Sequence, residues 1–378
     1  MKIFLCGDVM LGRGIDQALP KPCPPQLYEG YMHSAISYLD LAEEVNGPIR
    51  GPVDLAYVWG AALEELARAK PDARIINLET AITLSEAYEP KGINYRMSPE
   101  NAGCLATASI DCCVLANNHV LDWGQAGLRD TLARLHQLGI KPAGAGLDLA
   151  QASEPVILQA GSEGRVIVFS FATTTSGTPR RWAAKPDCPG VNLLPGLSDA
   201  TADAIVQKVN EVKRLQDIII VSIHWGPNWG YEVPDSERKF AHELVNKAGI
   251  SILHGHSSHH PKAIEVDNKR LILYGCGDFL NDYEGIRGYE EFRGDLSLMY
   301  FASLDPATAD LLALELVPLQ IRRFQLARPS SADVDWLQRT LDRESSHFCT
   351  RVTLAPGGRL ALSWPGAKQS EPGQSHAR

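Results

Sequence analysis

Ile250-Ser251-Ile252-Leu253 runs straight into His254-Gly255-His256-Ser257-Ser258-His259-His260, an apolar strand opening into a loop that carries four imidazoles in seven residues. Histidine is the commonest metal ligand and titrates nearest neutral pH, so such a cluster points to metal binding or acid/base chemistry. The same arrangement recurs elsewhere in the chain. Lys2 to Cys6 delivers Asp8, Arg74-Ile75-Ile76 delivers Asn77 and Glu79, Ile110 to Leu115 delivers Asn118 and His119, and Asp217 to Ile223 delivers His224. Helical spacing lies between these strands, over Tyr31 to Val45, Val53 to Lys70, Gln125 to Leu138, Ser198 to Leu215 and Asp235 to Ala248, with Asp235 as the N-cap of the last. Alternation of strand, polar loop and helix predicts an α/β fold. In open α/β sheets, ligands bind outside the carboxyl ends of the strands, so five polar strand ends are expected to converge on one site.

The totals narrow the function. A net charge of −9 and a pI near 5.7 argue against a phosphate-backbone partner, so no nucleic acid is expected. No apolar run approaches bilayer length, and Ile3-Phe4-Leu5-Cys6 is too short for a secretory leader, so no membrane segment and a cytoplasmic location are expected. The eight cysteines lack C-x-x-C spacing and read as reduced and mostly buried. Asp, Glu, Asn and His offer oxygen and nitrogen donors suited to a divalent ion, Mn, Zn or Fe, with no thiolate in the set. The oligomeric state is not legible.

Further along, Ala263 to Val266 and Arg270 to Tyr274 read as a hairpin, and Leu296 to Phe301 and Leu311 to Val317 as sheet strands. Ser331 to Arg343 reads as a helix, followed by weak strands near Val352 and Leu360 to Trp364. The expected organisation is one domain over 1–325, a helix and strand extension over 326–365, and an apolar-poor, disordered tail over 366–378.

Gly7-Asp8-Val9-Met10-Leu11-Gly12-Arg13, Asn77-Leu78-Glu79-Thr80, Ala116-Asn117-Asn118-His119-Val120-Leu121-Asp122, His224-Trp225-Gly226 and Gly255-His256-Ser257-Ser258-His259 together resemble the capsule-synthesis CapA family. That family is associated with poly-γ-glutamate production and sits in the calcineurin-like metallophosphatase superfamily; the resemblance covers roughly residues 1–285. It implies a sandwich of two mixed β-sheets flanked by helices, with one or two metals at the strand ends. Asp8, Glu79, Asn118, His224, His256 and His259 are the implied ligands, and His254 is a further candidate. His119 is the implied proton donor to a leaving group, with Asp122 orienting it. Arg13, Asn77, Arg96 and Trp225 are candidates for contact with an anionic small-molecule, peptide or polyglutamate-like substrate.

Three features depart from the superfamily pattern. Met10 stands where a histidine ligand is usual, the second carboxylate lies in Asn77-Leu78-Glu79, and the closing histidines are three apart. Met10 leaves one metal position without its ligand, or the site without metal. Three readings therefore follow. One is metal-assisted hydrolysis of a phosphoester or an amide-linked acidic substrate. The second is metal-independent proton transfer by a carboxylate and imidazole pair, as in a peptide epimerase. The third is non-catalytic binding of a polyanion through Arg13, Lys91, Arg96 or Lys262.

Overall fold

The computed structural model describes residues 1–161 and 164–367. The reading of 366–378 as a disordered tail, and the centre of the Gly161 to Gly164 turn, fall largely outside these residues.

Two mixed sheets face each other. The larger is ten-stranded. Its central strand is Lys2–Val9, flanked by parallel Ala73–Leu78 and antiparallel Leu296–Leu304; Cys112–Val114 and Lys141–Ala143 continue it on one side. The second is six-stranded and holds Ile218–His224 and Ile252–His256 side by side and parallel. The polar strand ends belong to these central strands. Ser331–Ser346 and the Arg351–Ala355/Arg359–Ser363 hairpin follow, and the hairpin pairs with Leu311–Arg322 at the edge of the larger sheet.

Side-chain alternation explains why both sheets are apolar on both faces. Ile3, Leu5 and Ile75 point between the sheets, against Val166, Val168, Ile220 and Ile252. Phe4, Cys6 and Ile76 point the other way, into a layer that includes Leu66, Leu128 and Leu132 from the helices. On the far side of the second sheet, Ile219, Val221 and Ile223 pack on Ile205, Val209, Phe240 and Leu244. No helix among the described residues is long and apolar enough to cross a membrane.

Three helix expectations are corrected in detail. Tyr31 to Val45 is helical only over Ile36–Asn46, because the Leu27 and Ala35 amides donate to the His33 and Pro25 carbonyls and fold the preceding residues into a turn. Val53 to Lys70 splits into a 3-10 turn, Tyr57–Trp59, and a helix, Ala61–Ala69. Gly60 makes the break with φ +42, at a point where a Cβ would meet the Leu326 carbonyl oxygen at 2.2 Å. Asp235 is the first helical residue rather than the cap, which is Pro234 without a side-chain bond.

The tightest approach lies beside the first polar strand end. Asp278–Leu280 pairs parallel with the end of Lys2–Val9, setting Asp278 beside Asp8, and the Asp8 amide donates to the Gly277 carbonyl. A Cβ on Gly7 would lie 1.6 Å from that oxygen. Gly7→Ala is therefore expected to destabilise the chain by about 1–3 kcal/mol or more, the usual range for overpacking, measured as a lower urea midpoint. An unchanged midpoint would mean that this strand pair yields without cost.

Candidate metal centre

Register builds the centre. In the parallel ladder His224 pairs with His256 and Ser222 with His254, while Asp8 pairs with both Asn77 and Asp278 across its own sheet. Moving along the inner face of the second sheet, Ile220 and Ile252 give way to Ser222 and His254, then to His224 and His256. Apolar core thus grades into polar relay and then into ligands.

Asp8, His224 and His256 each present one donor atom within 4.8 Å of the others, all three buried. His224 Nδ1 lies 2.7 Å from His256 Nδ1, and His256 Nδ1 lies 3.8 Å from Asp8 Oδ1. The Asn77 amide donates to Asp8 Oδ1 at 2.7 Å, and the Ser257 amide to Asp8 Oδ2 at 3.2 Å. His224 turns its second nitrogen, Nε2, toward Asn118 Oδ1 at 3.0 Å and Glu79 Oε1 at 3.7 Å. Glu79 Oε1 is also 3.8 Å from His119 Nε2. His259 stands beyond, with Nδ1 3.0 Å from Asp278 Oδ1 and Nε2 3.0 Å from Asn228 Nδ2.

The electrostatics fit a cation. Burial, then repulsion from Asp278, pushes Asp8 up to about 7. Burial, then Asp8 and Asp278, raises Glu79 strongly, and Lys91 opposes this. Burial and neighbouring imidazoles hold His224 and His256 far below their usual range, so both are neutral and free to ligate. Burial works against charge on His259, but the Asp278 carboxylate outweighs it and raises that imidazole. A divalent ion among these carboxylates would relieve the repulsion that raises them. One carboxylate and two imidazoles suit Mn, Zn or Fe. Burial also pushes the Cys6 and Cys276 thiols up, so neither offers a thiolate.

A proton-handling group adjoins the donors. His119 Nδ1 is 2.6 Å from Asp122 Oδ2, and its ring stacks on Tyr95 at 3.8 Å. Lys91 Nζ lies 2.8 Å from Asp122 Oδ1 and 3.3 Å from His119 Nδ1, and donates to the Asn118 carbonyl. The Lys91 side chain is 16% exposed and that of Asp122 fully buried. A cavity of about 400 Å³ opens beyond His259, bounded by Trp229, Asn281, Tyr283 and Arg293.

Several expected residues are set apart. His254 lies one step deeper, its Nε2 on the Cys6 carbonyl at 2.8 Å and its Nδ1 on Ser222 Oγ at 3.1 Å. Arg13 is buried and bound by Asp282, Glu29 and the Tyr38 hydroxyl, so no nitrogen is left for substrate. Arg96 donates to the Ser85 and Pro24 carbonyls and stacks on Trp123 at 3.8 Å. Trp225 is buried, its N–H on the Tyr274 carbonyl at 2.9 Å. Met10 is buried too, its sulfur accepting from the Gly12 amide.

Sequence reading does not single out Ser222, Tyr95 or Tyr283 and gives Lys91 only a role in polyanion binding, while Asp278, in Gly277-Asp278-Phe279, reads equally as a turn residue or a site residue. For Asp278 the signal was present, since Gly277-Asp278 repeats the Gly7-Asp8 pattern. Lys91 sits in the irregular Glu89-Pro90-Lys91-Gly92 loop, where no periodicity marks it.

Comparison with known proteins agrees with this architecture. Residues 2–283 match the family model described as bacterial capsule synthesis protein PGA_cap. The chain is 48% identical over 363 residues to a "Probable polyglutamine synthesis accessory protein" of Mycobacterium tuberculosis strain H37Rv, covering 95% of each chain. It is 28% identical to the PGA biosynthesis protein CapA of Bacillus subtilis, covering 73% of this chain and 69% of that one. It is 24% identical to the capsule biosynthesis protein CapA of Bacillus anthracis, covering 68% and 59%. With the match running through all five polar strand ends, the chain belongs to the PGA_cap family of bacterial capsule synthesis proteins and has the calcineurin-like fold of that family.

Proposed function

We propose that the protein is an accessory hydrolase of polyglutamate or capsule metabolism that uses a divalent metal to cleave an amide-linked acidic substrate. The observation that carries this is the two-sided His224. Its Nδ1 faces His256 and Asp8, and its Nε2 faces Asn118 and Glu79, beside the His119–Asp122 pair. The names of the relatives, which refer to polyglutamine synthesis, PGA biosynthesis and capsule biosynthesis, supply the substrate class.

Asp8, His224 and His256 would hold the metal, with Glu79, Asn118 and His259 next to them. When bound, the ion supplies a Lewis acid and lowers the pKa of a water molecule. The protein's own groups do the rest. Asp122 accepts from His119 Nδ1–H, which leaves Nε2 bare and facing Glu79. Burial, then the Lys91 charge, keeps His119 neutral at rest. His119 Nε2 therefore takes up a proton from the attacking water before returning it to the leaving nitrogen. Lys91, partly exposed beside this pair, contributes the positive charge that favours an acidic substrate.

Two measurements test this. Protein purified without chelator is assayed for metal content, and for cleavage of poly-γ-glutamate and of a chromogenic phosphoester with added manganese. Cleavage of the polymer alone fits the proposal. Absence of both bound metal and a manganese response would sink it. His119→Asn is expected to lower kcat by about 10²–10⁴-fold, the usual worth of a positioned acid/base, with metal content unchanged. A mutant with wild-type kcat would remove His119 from the mechanism.

A further inference from the structure

Behind the ligands, a chain of three hydrogen bonds runs from a backbone carbonyl to His256. We propose that Ser222 and His254 are positioning residues of the metal centre, a relay from the Cys6 carbonyl that fixes the proton of His256 on Nε2 and keeps its Nδ1 bare for the cation. The inference rests on the metal reading above and adds two residues to it.

The direction of every bond follows from what each group can donate. The Cys6 carbonyl only accepts, so His254 Nε2, 2.8 Å away, must carry a hydrogen. The partners of His254 are that carbonyl and a hydroxyl, with no carboxylate among them to support an imidazolium. A neutral His254 therefore has a bare Nδ1, and Ser222 must donate its only hydrogen to it across 3.1 Å. Having spent that hydrogen, Ser222 Oγ can only accept from His256 Nε2, which is 2.8 Å away. The neutral His256 ring then has nothing on Nδ1, the nitrogen that faces His224 Nδ1 at 2.7 Å and Asp8 at 3.8 Å.

The sequence context supports a built device. Ser222 interrupts Ile218-Ile219-Ile220-Val221 and Ile223, and it is fully buried, as are His254 and His256. A buried hydroxyl is costly unless its bonds are made, and here both are. The register aligns the parts, since Ser222 and His254 are ladder partners one side-chain step below His224 and His256. Partners outside the ligand shell that fix the tautomer of a ligating imidazole are typically worth 10–100-fold in metal affinity.

The test uses full-length protein with ¹⁵N-labelled histidine, stripped of metal by chelator, followed by manganese titration. The expected nitrogen spectrum shows Nε2–H on both His254 and His256. Ser222→Ala is expected to mix the His256 tautomers and weaken manganese binding by about 10–100-fold, and Ser222→Thr, which keeps the hydroxyl, to restore both. An Nδ1–H on wild-type His256, or wild-type affinity in folded Ser222→Ala, would overturn the relay. The wild-type spectrum needs no variant to fold. Wild-type protein that binds no manganese while showing the expected tautomers would overturn the metal reading and leave the proton arrangement standing.

Discussion

His256→Ala is expected to abolish stoichiometric metal binding and, with it, hydrolysis, while leaving a folded chain. His256 supplies one of the three donors that meet within 4.8 Å. Loss of an outer partner of a metal ligand already costs about 10–100-fold in affinity, so loss of a ligand should exceed that range. Asp8→Asn should act similarly by a different route. It keeps the shape but removes the carboxylate charge, on a group that burial, then repulsion from Asp278, pushes up to about 7. Metal per chain after dialysis, with circular dichroism to verify folding, reads both. Full metal occupancy in His256→Ala would place the ion elsewhere.

Asp282→Ala is expected to cause the largest loss of stability, up to about 3–5 kcal/mol, the cost of removing one partner from a buried ion-pair cluster. Arg13 and Asp282 have side chains 1% and 0% exposed, and Asp282 also accepts from the Gly14 amide at 3.0 Å. Removing the carboxylate strips two of the guanidinium nitrogens of their acceptor, leaves Glu29 as its one carboxylate partner, and strands the Gly14 amide. Arg13 moreover holds a left-handed φ of +46°, which these bonds pin in place. Lys239–Asp199 is the control: both side chains are 65% exposed, and Asp199→Ala should leave the urea midpoint where it was. A wild-type midpoint in Asp282→Ala would mean that Arg13 finds another partner at no cost. The same substitution should also reach the site, because Arg13 lies over the Tyr95 ring at 4.7 Å and Tyr95 stacks on His119.

What the sequence could reveal depended on the kind of information each position carried. Strand ends were legible because buried parallel strands are unbroken apolar runs, so Asp8, Asn77, Glu79, Asn118 and His224 each mark the point where such a run stops. Depth was not legible. Alternation puts His254 and His256 on the same face, but two residues along a strand are about 6.6 Å, and only the facing sheet decides which imidazole meets Asp8 and which meets the Cys6 carbonyl. The arginines failed for a related reason. Arg13 and Arg96 lie next to site motifs in sequence, yet their partners come from remote segments: Asp282 for one, Pro24 and Ser85 for the other. A cation whose partners are distant reads locally as available. Lys91 is the converse, reaching His119 and Asp122 from a loop without pattern.

A cation between the two sheets at the His224–His256 pair is what the hydrolase and the relay both require. Anomalous diffraction from crystals soaked in manganese or zinc tests this most directly. The expected result is a peak about 2.0–2.2 Å from His224 Nδ1, His256 Nδ1 and an Asp8 oxygen, the distances usual for zinc with such donors. No peak there, with both Nδ1 atoms still in contact as they are at 2.7 Å, would contradict it.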